Sequence, residues 1–326
     1  MTTLTGKTIL ITGGTRGVGA ATALALARLS PRKIYITGRP SSSAAADAFI
    51  SRIRSEADSQ SDPQICKNIT FLPTDNASLA SVSATASKLL ETQDKINLLI
   101  CNAGIAAAPL GVSEDGYEIQ FATNFLGHAL LIRKLLPLLR NSQAQDAGAG
   151  PGGPGGHGSA RIINLGSYSY RVAGTVSLER VSGDGLKKDK DDWLGLEKWR
   201  RYTESKLAVT LYTAQLAKRY PDITSVTVTP GFVESDMVRG FSFVEYWVTK
   251  LGCGLIPGQR GLVSVEQGAE NSVWAATVGN GGLESGGMYD PVGKRVPEGE
   301  MSAAGKDEVL GGRVWEWTEG ELGKWL

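Results

Sequence analysis

The chain has 326 residues, 34 basic against 33 acidic side chains and 41% hydrophobic residues, enough apolar material for one large α/β domain. The neutral balance excludes the basic stripe of a nucleic-acid or acidic-lipid binder, and 21% charged residues among recurrent apolar runs exclude a disordered chain. Glycine is overrepresented, with 41 residues against a usual ~7%, but no G-X-Y period makes the chain collagen-like.

In chain order, Thr8–Ile11 reads as a buried strand and Ala20–Leu29 as an Ala/Leu-rich helix. Lys33–Thr37 is a second strand, Ala44–Ala57 a helix, Ile69–Leu72 a strand, Ser78–Leu90 a helix and Ile96–Cys101 a strand. Gly116–Leu139 reads as one long helix, Arg161–Leu165 as a strand, Lys198–Arg219 as a helix and Ser225–Thr229 as a strand. This alternation predicts right-handed βαβ crossovers: an α/β fold, a single Rossmann-type doubly wound parallel sheet with helices on both faces, in one domain over 1–326. Two segments interrupt the rhythm. Gly148–Gly158 carries seven glycines and two prolines, and marks a flexible insert over 141–160. The charge run Lys187–Asp192 reads as a solvated loop.

Cys66, Cys101 and Cys253 are too few and too widely spaced for a disulfide framework or a zinc site. A reducing, cytoplasmic setting fits them. The N-terminus shows no apolar signal region, and Phe125–Leu139 is too short, and too charged at Arg133 and Lys134, to span a bilayer. Peripheral membrane association stays open. His128 and His157, the two histidines, form no metal-ligand pattern; no metal is expected.

The first strand runs into Thr12-Gly13-Gly14-Thr15-Arg16-Gly17-Val18-Gly19 and then a helix. A glycine-rich strand-to-helix turn brings backbone N–H groups and the positive end of a helix dipole to a pyrophosphate. Gly13, Thr15, Arg16, Gly17, Val18 and Gly19 are therefore candidate dinucleotide contacts. An NAD site places Asp or Glu after the second strand. Here that strand ends in Gly38-Arg39, and the next acid is Asp47. Guanidinium groups at Arg16 and Arg39 suit a 2′-phosphate, so NADP (NADPH) is the expected cofactor.

Tyr202 and Lys206 share a helix face at i, i+4. A phenol with a pKa near 10 is a poor acid–base group at neutral pH, and a neighbouring ammonium is expected to lower it. The same spacing recurs at Tyr246/Lys250. Order separates the two: Tyr202 follows the strand ending near Ser167 and precedes the strand leading to Pro230-Gly231, and Tyr246 follows both.

Taken in order, Thr12–Gly19, Asn102-Ala103-Gly104, Tyr202-Thr203-Glu204-Ser205-Lys206 and Pro230-Gly231 resemble the short-chain dehydrogenase/reductase family over roughly residues 5–280. The resemblance implies hydride exchange between a nicotinamide and a small-molecule carbonyl or alcohol. It implies Tyr202 as general acid/base, Ser167 (with Ser169 as competitor) orienting the substrate oxygen, Lys206 tuning Tyr202 and binding the nicotinamide ribose, and Asn124 completing a proton relay through water. Asp75 resembles the acid that binds the adenine amino group. Asn102 and Gly104 lie beside the cofactor, and Pro230, Gly231, Val233 and Ser235 beside the nicotinamide. The tail Arg313–Glu319 resembles the C-terminal helix of retinol-dehydrogenase-like and protochlorophyllide-reductase-like members. In this family the segment over about 233–262 covers the substrate. Its Phe241, Phe243, Tyr246 and Trp247 read either as ordinary packing or as an apolar lid for a lipophilic or aromatic substrate. Trp315, Trp317 and Trp325 either pack the final helix or face a subunit or membrane, and a homo-oligomer is allowed. Two rival functions keep the same fold: a co-opted cyclase or isomerase, and a non-catalytic NADP-binding protein.

Overall fold

The computed structural model describes residues 3–59, 65–147, 160–186, 196–234, 261–279 and 281–326. Strand β1 (Thr8–Ile11) leads into α1 (Gly17–Ala27), β2 (Lys33–Gly38) into α2 (Ser43–Ser59), and β3 (Ile69–Pro73) into α3 (Leu79–Thr92). After β4 (Leu98–Cys101) come α4 (Ile119–Phe121), a π-helical turn (Ala122–Leu126) and α5 (Gly127–Ala147). Then follow β5 (Arg161–Leu165), the one-turn α6 (Gly183–Leu186), α7 (Leu196–Arg219), β6 (Thr224–Val228), β7 (Phe232–Val233), β8 (Leu262–Val263), α8 (Val265–Thr277), β9 (Met288–Tyr289) and α9 (Glu308–Leu322).

Seven strands form one sheet in the order β3-β2-β1-β4-β5-β6-β9, every neighbouring pair parallel. Helices cover both faces, as a parallel sheet requires. Strand alternation sorts the core: Ile9, Ile11, Ile34 and Ile36 face α1, α2 and α8, and Leu10, Tyr35 and Leu99 face α3, α5, α7 and α9. The chain leaves β1 toward β2 on one side and reaches β4 on the other, so the strand order reverses between β1 and β4. At such a switch point the loops beyond the C-terminal strand ends diverge and leave a crevice for ligand.

Three expectations change. The helix expected over Gly116–Leu139 begins only at Ile119 and is interrupted by the π turn. Gly116 takes φ +86°, which turns the chain, and Glu118 Oε2 then accepts the Phe121 N–H at 2.7 Å as a cap. The insert expected from residue 141 starts later, because α5 continues to Ala147; residues 148–159 lie outside the described residues, as do the charge run and 235–260 of the expected lid. The ends of that lid segment are joined by β7 and β8, with Phe232 opposite Leu262 and Val233 opposite Val263. Finally, α8 and the seventh strand β9 were not legible as elements.

The C-terminal helix α9 packs against α5 and α7. Trp315 stacks on Tyr212 at 4.9 Å between ring centroids, and Trp317 meets Tyr117 and Phe121 edge-on. Of the two uses weighed for these tryptophans, packing of the last helix is the one seen for Trp315, buried to 7% exposure.

Candidate active site

The glycine turn opens the crevice at the end of β1. Gly13 sits at φ +65°, a left-handed conformation that costs glycine little. A Cβ on Gly19 would lie 2.3 Å from the Gly13 carbonyl oxygen and 2.4 Å from Asn102 Nδ2, so only glycine lets α1 start this close to β1. Arg16 is the N-cap of α1, without a side-chain capping bond and with no acid in the first turn. The helix therefore presents uncapped N–H groups at the crevice, which suits a phosphate. Arg16 and Arg39 are both exposed, and neither has an ion pair with a described residue. Thr15 packs against Gly38, whose Cβ would stand 3.0 Å from Thr15 Cγ2. The residues fit a dinucleotide, which when bound would supply the hydride chemistry.

Asn102 holds this turn rather than reaching outward: its Nδ2 donates to the carbonyl oxygens of Thr12 (2.8 Å) and Gly13 (3.3 Å). Asp75 is half-buried after β3, its Oδ1 accepting the Ala77 N–H at 3.0 Å. Val18 and Val233 pack toward Gly268 of α8. Pro230 precedes Gly231, which turns the chain at φ +75°. Ser235 lies outside the described residues, as does the second Tyr/Lys pair, Tyr246 and Lys250.

Four residues converge beyond β4 and β5. Ser167 caps the short turn Tyr168–Val172; its Oγ accepts from Ser169 N (3.2 Å) and Ser169 Oγ (2.9 Å). Tyr202, buried at 9% exposure, lies beside Ser167 and Ser169, whose hydroxyls favour its ionised form. Ser167, the preferred serine, and its competitor Ser169 thus lie together, linked by their hydroxyls. Lys206 Nζ donates to the Leu165 carbonyl at 2.9 Å and lies 5.9 Å from the Tyr202 ring centroid. A Cβ on Gly104 would stand 3.2 Å from Asn124 Oδ1 and 3.7 Å from Lys206 Nζ, which places Asn124, Gly104 and Lys206 around one point.

The electrostatics differ from expectation in one respect. Burial raises the Tyr202 phenol above its ordinary range, and the neighbouring Ser167 and Ser169 hydroxyls only partly offset this. Burial lowers Lys206 from 10.5 to about 8. Lys206 Nζ also donates to the Leu165 carbonyl, and the low-dielectric site penalises both charged forms.

Asn124 lies in the π turn rather than in regular helix, and its side chain is fully committed. Nδ2 donates to Ile105 O and to Ser205 Oγ, each at 2.9 Å, and Oδ1 accepts the Ile105 N–H at 2.8 Å. These bonds fix Asn124 between Ile105 and α7. Sequence reasoning missed Ser205, fully buried, which donates to the Tyr202 carbonyl at 2.7 Å; a hydroxyl on the inward face of a helix, next to Lys206, was the available signal. It also missed Asn76, which donates to Thr123 O at 2.5 Å and ties the β3–α3 loop to the π turn. The buried pair Glu118/Arg201, 3.5 Å apart, joins α4 to α7 beside Tyr202.

A parallel sheet with a glycine turn at its switch point and a buried Tyr/Lys/Ser cluster defines a nicotinamide-type oxidoreductase class. Comparison with known proteins agrees. The family model described as short chain dehydrogenase matches residues 7–169. The chain is 31% identical to "Short-chain dehydrogenase/reductase drtF" of Aspergillus calidoustus, over 98% of this chain and 95% of that protein. It is 32% identical to the polyprenol dehydrogenase of Mus musculus (95% and 82% covered) and 30% identical to retinol dehydrogenase 13 of Homo sapiens (96% and 83%). Among solved structures, a protein from Mycobacterium Paratuberculosis shares the fold at a TM-score of 0.68 and 22% identity, covering 98% of this chain and 95% of that one. The NADPH-bound carbonyl reductase from chicken fatty liver does so at 0.60 and 22% identity, covering 90% and 99%. The chain belongs to the short-chain dehydrogenase/reductase family, in its retinol-dehydrogenase-like part. It is an oxidoreductase acting on alcohols or carbonyls. Among the described residues no helix is long and apolar enough to cross a membrane, and no group of three or more His, Cys, Asp or Glu could hold a metal.

Proposed function

We propose that the protein is an NADPH-dependent oxidoreductase that reduces a ketone or aldehyde, or oxidises the corresponding alcohol, with Tyr202 as general acid/base. The observation that carries this is the buried Tyr202 phenol beside Ser167 and Ser169, with Lys206 Nζ 5.9 Å from its ring centroid. With its pKa raised, Tyr202 is protonated at neutral pH and ready to donate from Oη to a carbonyl oxygen in the reductive direction. Ser167 and Ser169 orient that oxygen. Lys206, mostly protonated at neutral pH, holds positive charge in the crevice, and Asn124 fixes the Ile105 backbone behind it.

NADPH is favoured over NADH by the exposed guanidinium groups of Arg16 and Arg39 and by the absence of an acid between Arg39 and Asp47. Asp75, Gly104, Pro230, Gly231 and Ser235 complete the cofactor contacts we assign. A lipophilic or aromatic substrate is supported by rings near the site: Tyr168 lies 6.4 Å from Phe232, and Trp199 meets Tyr202 edge-on at 6.1 Å. The relatives named for retinol and polyprenol point the same way. The buried thiols Cys66 and Cys101 suit a cytoplasmic setting.

The test is a panel of apolar ketones, aldehydes and alcohols assayed with NADPH and NADH by nicotinamide absorbance. Turnover is expected with NADPH and a loss of at least about a hundredfold in Tyr202→Phe. Product formation without change in nicotinamide absorbance would contradict the reading.

A further inference from the structure

We infer that His128 is a positioning residue that locks the dinucleotide turn to the π turn, so that cofactor seating and the acid–base helix respond together. The inference rests on the proposed NADPH-dependent reaction and adds to it a residue that touches neither substrate nor cofactor.

The imidazole lies at the start of α5, 4% exposed, and bridges two elements that no other described side chain joins in this way. Its Nδ1 stands 3.0 Å from the Asn124 carbonyl oxygen, and its Nε2 stands 2.8 Å from Thr12 Oγ1. The carbonyl can only accept, so Nδ1 carries the proton and Nε2 is bare. Thr12 Oγ1 must then donate to Nε2; the Ile100 carbonyl, 3.5 Å from the same hydroxyl, is the weaker acceptor. Both lone pairs of that hydroxyl are occupied as well, by the N–H groups of Asn102 and Ala103, each at 2.9 Å. Every hydrogen-bonding position of the pair is thereby used, and the tautomer is fixed by its neighbours.

The chain of bonds runs on in both directions. On one side Asn102 Nδ2 holds the Thr12 and Gly13 carbonyls, the floor of the glycine turn. On the other, Asn124 Nδ2 donates to Ser205 Oγ and Ser205 donates to the Tyr202 carbonyl. A shift of the turn on seating a pyrophosphate therefore pulls on the backbone carbonyl of Asn124, and through its amide on the helical turn that bears Tyr202. Burial lowers the His128 pKa to about 4, so the imidazole keeps this neutral, one-proton form at working pH.

The test has two parts. In protein labelled with ¹⁵N-histidine, a His157→Gln background leaves His128 as the only imidazole. Its spectrum is expected to show protonated Nδ1 and bare Nε2, with the Nε2 resonance moving when NADPH is added. The opposite tautomer, or an Nε2 resonance indifferent to bound NADPH, would overturn the inference without recourse to any destabilised variant. The second part is a cycle of Thr12→Val, His128→Leu and the double variant, reading Kd for NADPH by titration and kcat with the best substrate. His128→Leu is expected to raise Kd and lower kcat, each by about tenfold. The double variant should be scarcely worse than the worse single one, and His128→Gln should recover part of both. A lower melting temperature with wild-type Kd and kcat, or effects that multiply independently, would reduce His128 to ordinary packing. If the wild type binds NADPH but turns over no substrate, the proposed reaction fails, while the resonance shift and the Kd cycle still decide the role of His128.

Discussion

Tyr202 and Lys206 stand one turn apart on α7, yet burial moves their pKa values in opposite directions. The phenol is held protonated and the ammonium is destabilised, from 10.5 to about 8. For Lys206 the sign is that of a cation whose folded pKa is depressed. The folded protein carries the full penalty below pH 8, roughly 3 kcal/mol, and gains stability as pH rises from about 8 to 10.5. Lys206→Met removes the penalty, so it should unfold at a higher temperature than wild type at pH 7 despite losing activity. Its lead should narrow between pH 8 and 10.5 in thermal melts followed by circular dichroism. A variant less stable than wild type at pH 7 would show that the bond to Leu165 outweighs the buried charge. Arg39 supplies the second residue-scale prediction. If its guanidinium meets a 2′-phosphate, Arg39→Ala should raise KM for NADPH about tenfold and leave KM for NADH nearly unchanged; an equal loss with both would remove it from that role. Tyr202, Lys206 and Ser167 were legible because their chemistry depends on residue type and local spacing. Ser205 and His128 were not, since their roles depend on partners 81 and 116 residues away.

At the scale of elements, strands and amphipathic helices near their expected bounds followed from apolar runs of the right period. The departures have local causes. The π turn at Ala122–Leu126 brings Asn124 to Ile105 and Ser205, a demand made by tertiary contacts rather than by the sequence of the helix. Strand β9 has only two residues, Met288 and Tyr289, too few to show a period. Helix α8 announces itself only by a capping box, Ser264 with Gln267. Helix α9 shows how a late element stabilises an early one. Trp315 stacks on Tyr212, and the Arg219 guanidinium lies 4.5 Å from its ring centroid. Trp315→Ala leaves a large void beside α7 and should cost about 3–5 kcal/mol, measured as a lower urea midpoint at unchanged slope. A shift within ±0.5 kcal/mol would mean that α9 is only loosely docked.

For the whole molecule, the strand order β3-β2-β1-β4-β5-β6-β9 puts the reversal between β1 and β4. That reversal explains why residues as distant as Gly13, Gly104, Ser167 and Tyr202 share one crevice. Alternation of strands and helices made the parallel sheet legible, and the glycine turn marked the strand ends at which the sheet reverses. The glycine excess now has separate sources. Gly13 and Gly19 shape the turn, Gly104 admits Asn124 and Lys206, and seven others fall in Gly148–Gly158, outside the described residues. The substrate was less legible because the rings around the site come from three separate segments, at Tyr168, Trp199 and Phe232. The claim that joins fold to function is direct hydride transfer from NADPH governed by Tyr202. The most direct measurement is single-turnover reduction of the best carbonyl with NADPH deuterated at the transferred position of C4, with the product analysed by mass spectrometry. The wild type should place one deuterium on the carbinol carbon, and Tyr202→Phe should do so at least about a hundredfold more slowly. Product without deuterium, or a rate unchanged in Tyr202→Phe, would contradict the account.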